Sequence, residues 1–185
     1  MASLAGIVFD LEGPRALSDF REERLLRALR AVEPSVEAVS SRFIHFVHAS
    51  DELTDTESSR LASLLDYGPG PDKAITASLE ALVVPRLGTI SPWASKATDI
   101  ARNCGIEKVL RVERGTIFTI ALRDGAELSE EKRGALLALL HDRMTESVVP
   151  VDYPRENLFT DLAGKPMETV PLMAEGKKAL EDANL

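Results

Sequence analysis

A chain of 185 residues with an apolar fraction of 44% can bury one sizeable core, as a single domain or a domain with a tail. Its formal net charge of −8 disfavours nucleic acid or an acidic membrane surface as the main partner. One cysteine rules out an internal disulfide framework, the opening Met1–Gly6 carries no basic leader, and no apolar run is long enough to span a bilayer. A soluble cytoplasmic domain is expected.

Ile7-Val8-Phe9 reads as a short opening strand stopped by Gly13-Pro14. Ser18 then caps a helix through Val32, with Leu25, Leu26, Leu29 and Val32 on one face and Arg21, Arg24, Arg27 and Arg30 on a solvated one. Arg42 to Ala49, rich in aromatic and branched residues, is the next strand. Thr54-Asp55-Thr56-Glu57 forms a capping box, opening a helix that turns Leu61, Leu64 and Leu65 inward and ends near Gly68. Gly68-Pro69-Gly70-Pro71 is a loop.

Leu79 to Val84 is the third strand. Ser91 as N-cap, Pro92 at the first helical position and Gly105 just past the end delimit the next helix. Glu107 to Arg114 and Thr116 to Leu122 read as two strands of a hairpin turning at Gly115. Ser129 caps a helix bearing Leu136, Leu137, Leu139 and Leu140, and Thr145 to Val151 returns as a strand. The order points to an α+β fold, a mainly antiparallel sheet with helices packed on one face. From Asp152 onward Pro154, Pro166 and Pro171 interrupt a weak pattern. Residues 1–150 are therefore expected to form the domain, and 151–185 a linker running into the start of a helix from Met173.

The chemistry-bearing residues are few. Cys104 lies at the C-terminal end of its helix, where the dipole opposes a thiolate, and is expected to be a buried structural cysteine. His45 and His48 are set on a strand, so they face opposite ways and do not share a metal. His141 at a helix end has no partner pattern, and Asp51, Glu52 and Asp55 suit a solvated loop and helix start. Neither usual phosphate-loop motif is present. No catalytic residue, metal site or cofactor is expected in this chain.

The stretch from Val84 to Ile100 is the exception. It runs from a strand through Gly88, Thr89 and Ser91 into a helix whose first turn holds Trp93, the only tryptophan. Arg86 and Lys96, with the amides near Ser91 to Ala94, could cradle an anion. The same stretch, with Ser95, Thr98 and Asp99 on the helix, could instead be a docking edge, because interfaces favour Trp and Arg anchors. Docking is the preferred reading, and plain internal packing is the third.

Pro85-Arg86-Leu87-Gly88-Thr89-Ile90-Ser91-Pro92-Trp93-Ala94-Ser95-Lys96-Ala97-Thr98-Asp99-Ile100, continuing to Asn103-Cys104-Gly105, resembles the signature of the large single-chain phosphoribosylformylglycinamidine synthase family. Val112-Glu113-Arg114-Gly115, Tyr67-Gly68-Pro69, Leu140 to Glu146 and Ala179 to Leu185 also resemble family elements. The resemblance covers most of the chain and implies the N-terminal region of a glutamine-dependent ligase of purine biosynthesis. By that analogy the fold resembles two fused copies of the small accessory subunit of the multi-subunit enzyme. The ATP and Mg sites, and the synthetase and glutaminase domains that would be this region's partners, then lie downstream of Leu185. The chain is expected to be a fragment, inactive alone and free to dimerise when isolated, that docks on the synthetase and supports passage of ammonia. The alternative is a stand-alone module binding a phosphorylated metabolite.

Overall fold

Two long strands organise the sheet. The computed structural model describes residues 5–70, 75–123, 126–160 and 169–183. β1 (Ile7–Arg15) lies at one edge and pairs with β2 (Val36–Ala49). The chain continues through β3 (Leu79–Pro85), β4 (Val109–Leu122) and β5 (Glu146–Val149). β2 and β4, 14 residues each, pair along nearly their whole length at the sheet's centre. The strand order is β1-β2-β4-β3-β5, and every pair is antiparallel. Four helices alternate with the strands: α1 (Asp19–Val32), α2 (Asp55–Leu65), α3 (Pro92–Asn103) and α4 (Glu130–Ala138). This is the expected α+β architecture.

Alternation of side chains sorts the sheet into two faces. Val39 and Val47 of β2 and Val112, Phe118 and Ile120 of β4 point to the helical face. There α1 and α4 pack through Leu29 and Leu136, with Leu140 just past α4, and α2 and α3 through Leu61, Leu65 and Ala101. Ile44, Phe46, Leu82, Val84 and Ile117 point the other way, against Leu158 and Phe159. That cover comes from a single 3₁₀ turn, Arg155–Leu158, in the stretch expected to be a linker. Arg155 fastens the turn to β1, donating from Nε to Asp10 Oδ2 at 2.9 Å and lying over the Phe46 ring. Two adjacent apolar residues, Leu158 and Phe159, carry no period, which is why the pattern looked weak.

Three strand limits differ from expectation by more than two residues. β1 does not stop at Gly13-Pro14 but runs through it, with a register shift between Glu12 and Arg15. An edge strand tolerates proline and a bulge because its outer groups need no ladder partner. β2 begins at Val36 rather than Arg42, since pairing with β4 extends over Ser40 and Ser41 despite their weak strand preference. The hairpin at Gly115 does not exist: β4 is continuous, and among the described residues the sheet has five strands rather than six.

Gly115 is there for space. A Cβ at this position would stand 2.9 Å from both the Phe46 ring and the Val83 carbonyl oxygen. Gly115→Ala is therefore expected to cost about 1–3 kcal/mol through overpacking against backbone that cannot swing away. Urea unfolding checks this, and a cost near zero would show that the sheet yields at this crossing.

The capping predictions hold where they are local. Thr54 and Glu57 form the reciprocal box, and the Ser129 hydroxyl accepts from Lys132 N. Ser18 holds the N-cap position without a side-chain bond, and α2 ends at Leu65. The expected C-terminal helix is two short ones, α5 (Leu172–Glu175) and α6 (Lys177–Ala183), broken at Gly176 with φ of 58°. Met1 to Leu4, Pro71 of the expected loop, Pro166, and Asn184-Leu185 lie outside the described residues.

Candidate functional site

The turn before α3 is built by local chemistry. Thr89 N donates to Arg86 O at 3.1 Å, closing a four-residue turn whose third residue, Gly88, has φ of 77°. That is the position where a type II turn requires positive φ, so glycine is needed there. The Thr89 hydroxyl reinforces the same carbonyl at 2.6 Å. Ser91 then caps α3, its Oγ accepting from Ala94 N at 2.9 Å.

α3 in turn closes an edge. β3 pairs with β4 only between Thr116 and Ile120, which leaves the earlier part of β4 without a strand on that side. Thr98, buried, accepts from Val112 N at 3.0 Å. Arg102 donates to Val109 O and Leu110 O at 3.1 and 2.9 Å. Side chains of one helix thus stand in for a missing strand, meeting the requirement that backbone polar groups find partners.

Glu113 and Arg114, adjacent on β4, point to opposite faces and both lead to the signature stretch. Glu113 is 1% exposed. Its carboxylate accepts from Ser91 N at 3.2 Å and Ser91 Oγ at 2.8 Å, and from Arg111 Nε at 3.1 Å. Arg111 also donates to Thr89 O at 2.8 Å. The N-terminus of α3 is therefore already served by an internal anion, favoured there by the helix dipole.

On the helical face, the Arg114 guanidinium lies between two aromatic rings, 4.2 Å from the Phe43 centroid and 4.7 Å from that of Trp93. It donates to Tyr67 Oη at 3.2 Å, and that hydroxyl also meets His45 Nε2 at 2.8 Å. His45 stacks on Trp93 at 5.6 Å and is fully buried. Burial, and then the Arg114 charge, push its pKa from 6.5 down to about 4, so the ring is neutral at pH 7.

Trp93 and Arg114 form a wall between two hollows. One, of about 260 Å³, is apolar and runs between α2 and α3 past Leu61, Leu64, Tyr67 and Ile100, with Lys96 at its rim. The other, of about 470 Å³, is a groove between the signature turn and the start of β5. Arg86, Thr89, Ser91 and Trp93 line it with Met144 and Glu146.

The nine expected residues thus divide. Arg86, Thr89, Ser91 and Trp93 share the groove, and Lys96 lies beyond Trp93 at the other hollow. Gly88 shapes the turn, and Thr98 is committed to β4. Ser95 and Asp99 are exposed on α3.

Sequence reasoning passed over Phe43, His45, Tyr67, Arg111, Glu113 and Arg114 as parts of this site. The Glu-Arg pair was visible, and alternation on a continuous strand sends its members to opposite faces, but the supposed hairpin obscured this. His45 and His48 do point to opposite faces, His48 bonding Ala5 O at 2.7 Å. Cys104 is half-buried rather than buried, and its carbonyl accepts from Arg60 Nη1 at 2.6 Å. His141 Nδ1 meets Leu137 O at 2.9 Å, a local helix-end contact.

A family model described as formylglycinamide ribonucleotide amidotransferase N-terminal matches residues 42–159, well over half of the chain. The match includes both arms of the site, the signature stretch and the Glu113-Arg114 pair.

Proposed function

Because this chain belongs to the N-terminal family of formylglycinamide ribonucleotide amidotransferase, we propose that it serves that purine-biosynthesis ligase as a non-catalytic docking domain. The face carrying the signature turn meets the synthetase domain, and the closed contact helps keep ammonia from water on its way from the glutaminase. Ammonia in neutral water is protonated and loses its nucleophilic lone pair, so a shielded route preserves reactivity.

The observation that carries the reading is the surface around Trp93. Ile90 and Met144 are 59% and 79% exposed at the same groove, and Ile100 is 45% exposed beside the neighbouring hollow. Apolar side chains gathered around a half-buried Trp and two arginines match the composition of an interface centre. Trp93 is already packed against His45 and Arg114, so less side-chain freedom is lost on docking.

ATP, Mg and glutamine are bound by other parts of the enzyme in this reading, and the enzyme works in the cytoplasm. Among the described residues no helix is long and apolar enough to cross a membrane. We place the accessory domain at 1–150, with the turn at Arg155–Leu158 and Phe159 packed onto its sheet, and the connection toward the synthetase in the rest of 151–185. The element order β1-α1-β2-α2 recurs as β3-α3-β4-α4 about the central β2–β4 pair. That order supports descent from two fused copies of an accessory subunit.

Deleting residues 1–150 from the complete amidotransferase tests the role. Glutamine-supported turnover is expected to collapse, while turnover with added ammonia survives better. Full glutamine-dependent activity without these residues would contradict the reading. The alternative is a module for a phosphorylated metabolite, and Arg86 in the groove favours it. Against it, Glu113 occupies the helix terminus that would receive a phosphate. Saturable binding of such a metabolite by this chain alone would decide for it.

A further inference from the structure

We propose that the groove between the signature turn and β5 recognises an acidic side chain, Asp or Glu, presented by an apolar segment of the synthetase domain. This rests on the docking reading and adds the chemistry of the partner.

Two guanidiniums define the groove. Arg114 is held in place by Phe43 and Trp93 and, among the described residues, donates a single hydrogen bond, to Tyr67. Arg86 is exposed, and among the described residues its side chain makes neither a hydrogen bond nor an ion pair. Its backbone, by contrast, is fixed: Arg86 N donates to Thr145 O at 2.9 Å, and its carbonyl anchors the Gly88 turn. Among the described residues the one carboxylate lining the groove, Glu146, is engaged by Asp142 N at 2.9 Å, capping the turn before β5. In a chain of net charge −8, a groove with two cations and a single engaged carboxylate stands out. Planar guanidinium donors match the two oxygens of a carboxylate, and an aromatic-flanked Arg is pre-organised for it.

The apolar rim selects what carries that carboxylate. Ile90 and Met144 flank the groove and are largely exposed, so a free metabolite would leave them in water whereas a peptide segment covers them. A groove of about 470 Å³ has room for one or two side chains.

The test uses the complete amidotransferase. Hydrogen exchange at residues 86–93 and 144–146 is expected to be slower there than in this chain alone. Arg86→Glu is expected to speed exchange at those residues by about tenfold or more, the loss of a charge-assisted contact, with Arg86→Gln in between. In an Arg86→Lys enzyme, a zero-length carbodiimide is expected to couple position 86 to an Asp or Glu outside this chain. Protection that is unchanged by Arg86→Glu, or coupling only to Glu146, would leave docking intact and overturn acid recognition. Equal exchange in both forms would overturn docking itself. Protection that appears only on adding inorganic phosphate would assign the arginines to a small anion instead. Arg86 is exposed, so its variants are not expected to disturb folding.

Discussion

Glu113→Ala is expected to lower stability by about 3–5 kcal/mol, the usual cost of stripping one member from a buried ion pair. The loss is large because three groups are stranded together. Arg111, itself mostly buried, keeps its charge without a counter-ion, and Ser91 loses acceptors for both its N–H and its hydroxyl. In thermal unfolding the same change is expected to lower Tm by on the order of 10 °C for a domain of this size. Glu113→Gln keeps the volume and one acceptor, so its cost is expected to be smaller, about 1.5–3 kcal/mol. High salt changes little, because a pair removed from solvent is weakly screened. A Glu113→Ala protein within ~0.5 kcal/mol of the parent, the range of an ordinary surface change, would mean that the tie between β4 and the signature turn is dispensable.

The second large effect is one of pH. His45 titrates near 6.5 when unfolded, but in the fold burial and Arg114 hold it at about 4. Between these values the unfolded chain binds the proton and the folded one does not, so stability rises with pH across the window. The stabilisation is complete above pH 6.5 and is lost as pH falls through 4. Linkage puts the loss at about 2 kcal/mol between pH 7 and 5, and on the order of 3 kcal/mol by pH 4.

The carboxylates act lower. Glu33, held at about 2 by Lys132 and then Ser35, loses its contribution only as pH falls from 4.5 toward that value. Hydrogen bonds from Thr54 likewise lower Glu57, with help from Lys108. Urea titrations between pH 7 and 5 therefore isolate the histidine. His45→Phe, which preserves a ring against Trp93, is expected to flatten that slope. A slope unchanged in the variant would assign the pH response to another group.

Much of this fold is legible in the sequence because much of it is local. A cap needs only neighbours, so Thr54 with Glu57 and Ser91 with Pro92 could be read directly. Gly88 could be read too, since a positive φ is a property of its own turn. Gly115 could not. Its reason is Phe46 and the Val83 carbonyl on two other strands, and without them a glycine amid strand formers looks like a turn.

The site divides in the same way. The stretch from Arg86 to Trp93 announced itself by composition, but what holds it came from 22 residues away in Glu113 and from Phe43, His45 and Tyr67 on other elements. An anion cradle at the start of α3 was a fair expectation from amides and hydroxyls alone. The chain supplies that anion itself, and a carboxylate on β4 is invisible until the strand is known to pass beside the helix. What stays open to a partner is the groove at Arg86 and Trp93, which is the part the docking account uses.

The central claim is that this face binds the remainder of the amidotransferase. Calorimetric titration of this chain into the remaining polypeptide, with glutamine-dependent turnover followed in the same samples, tests it most directly. Saturable binding that restores turnover is expected, weakened by at least about tenfold in an Ile90→Ser, Met144→Ser protein that has lost its apolar anchors. Absence of binding by a folded chain, or binding indifferent to both substitutions, would contradict it.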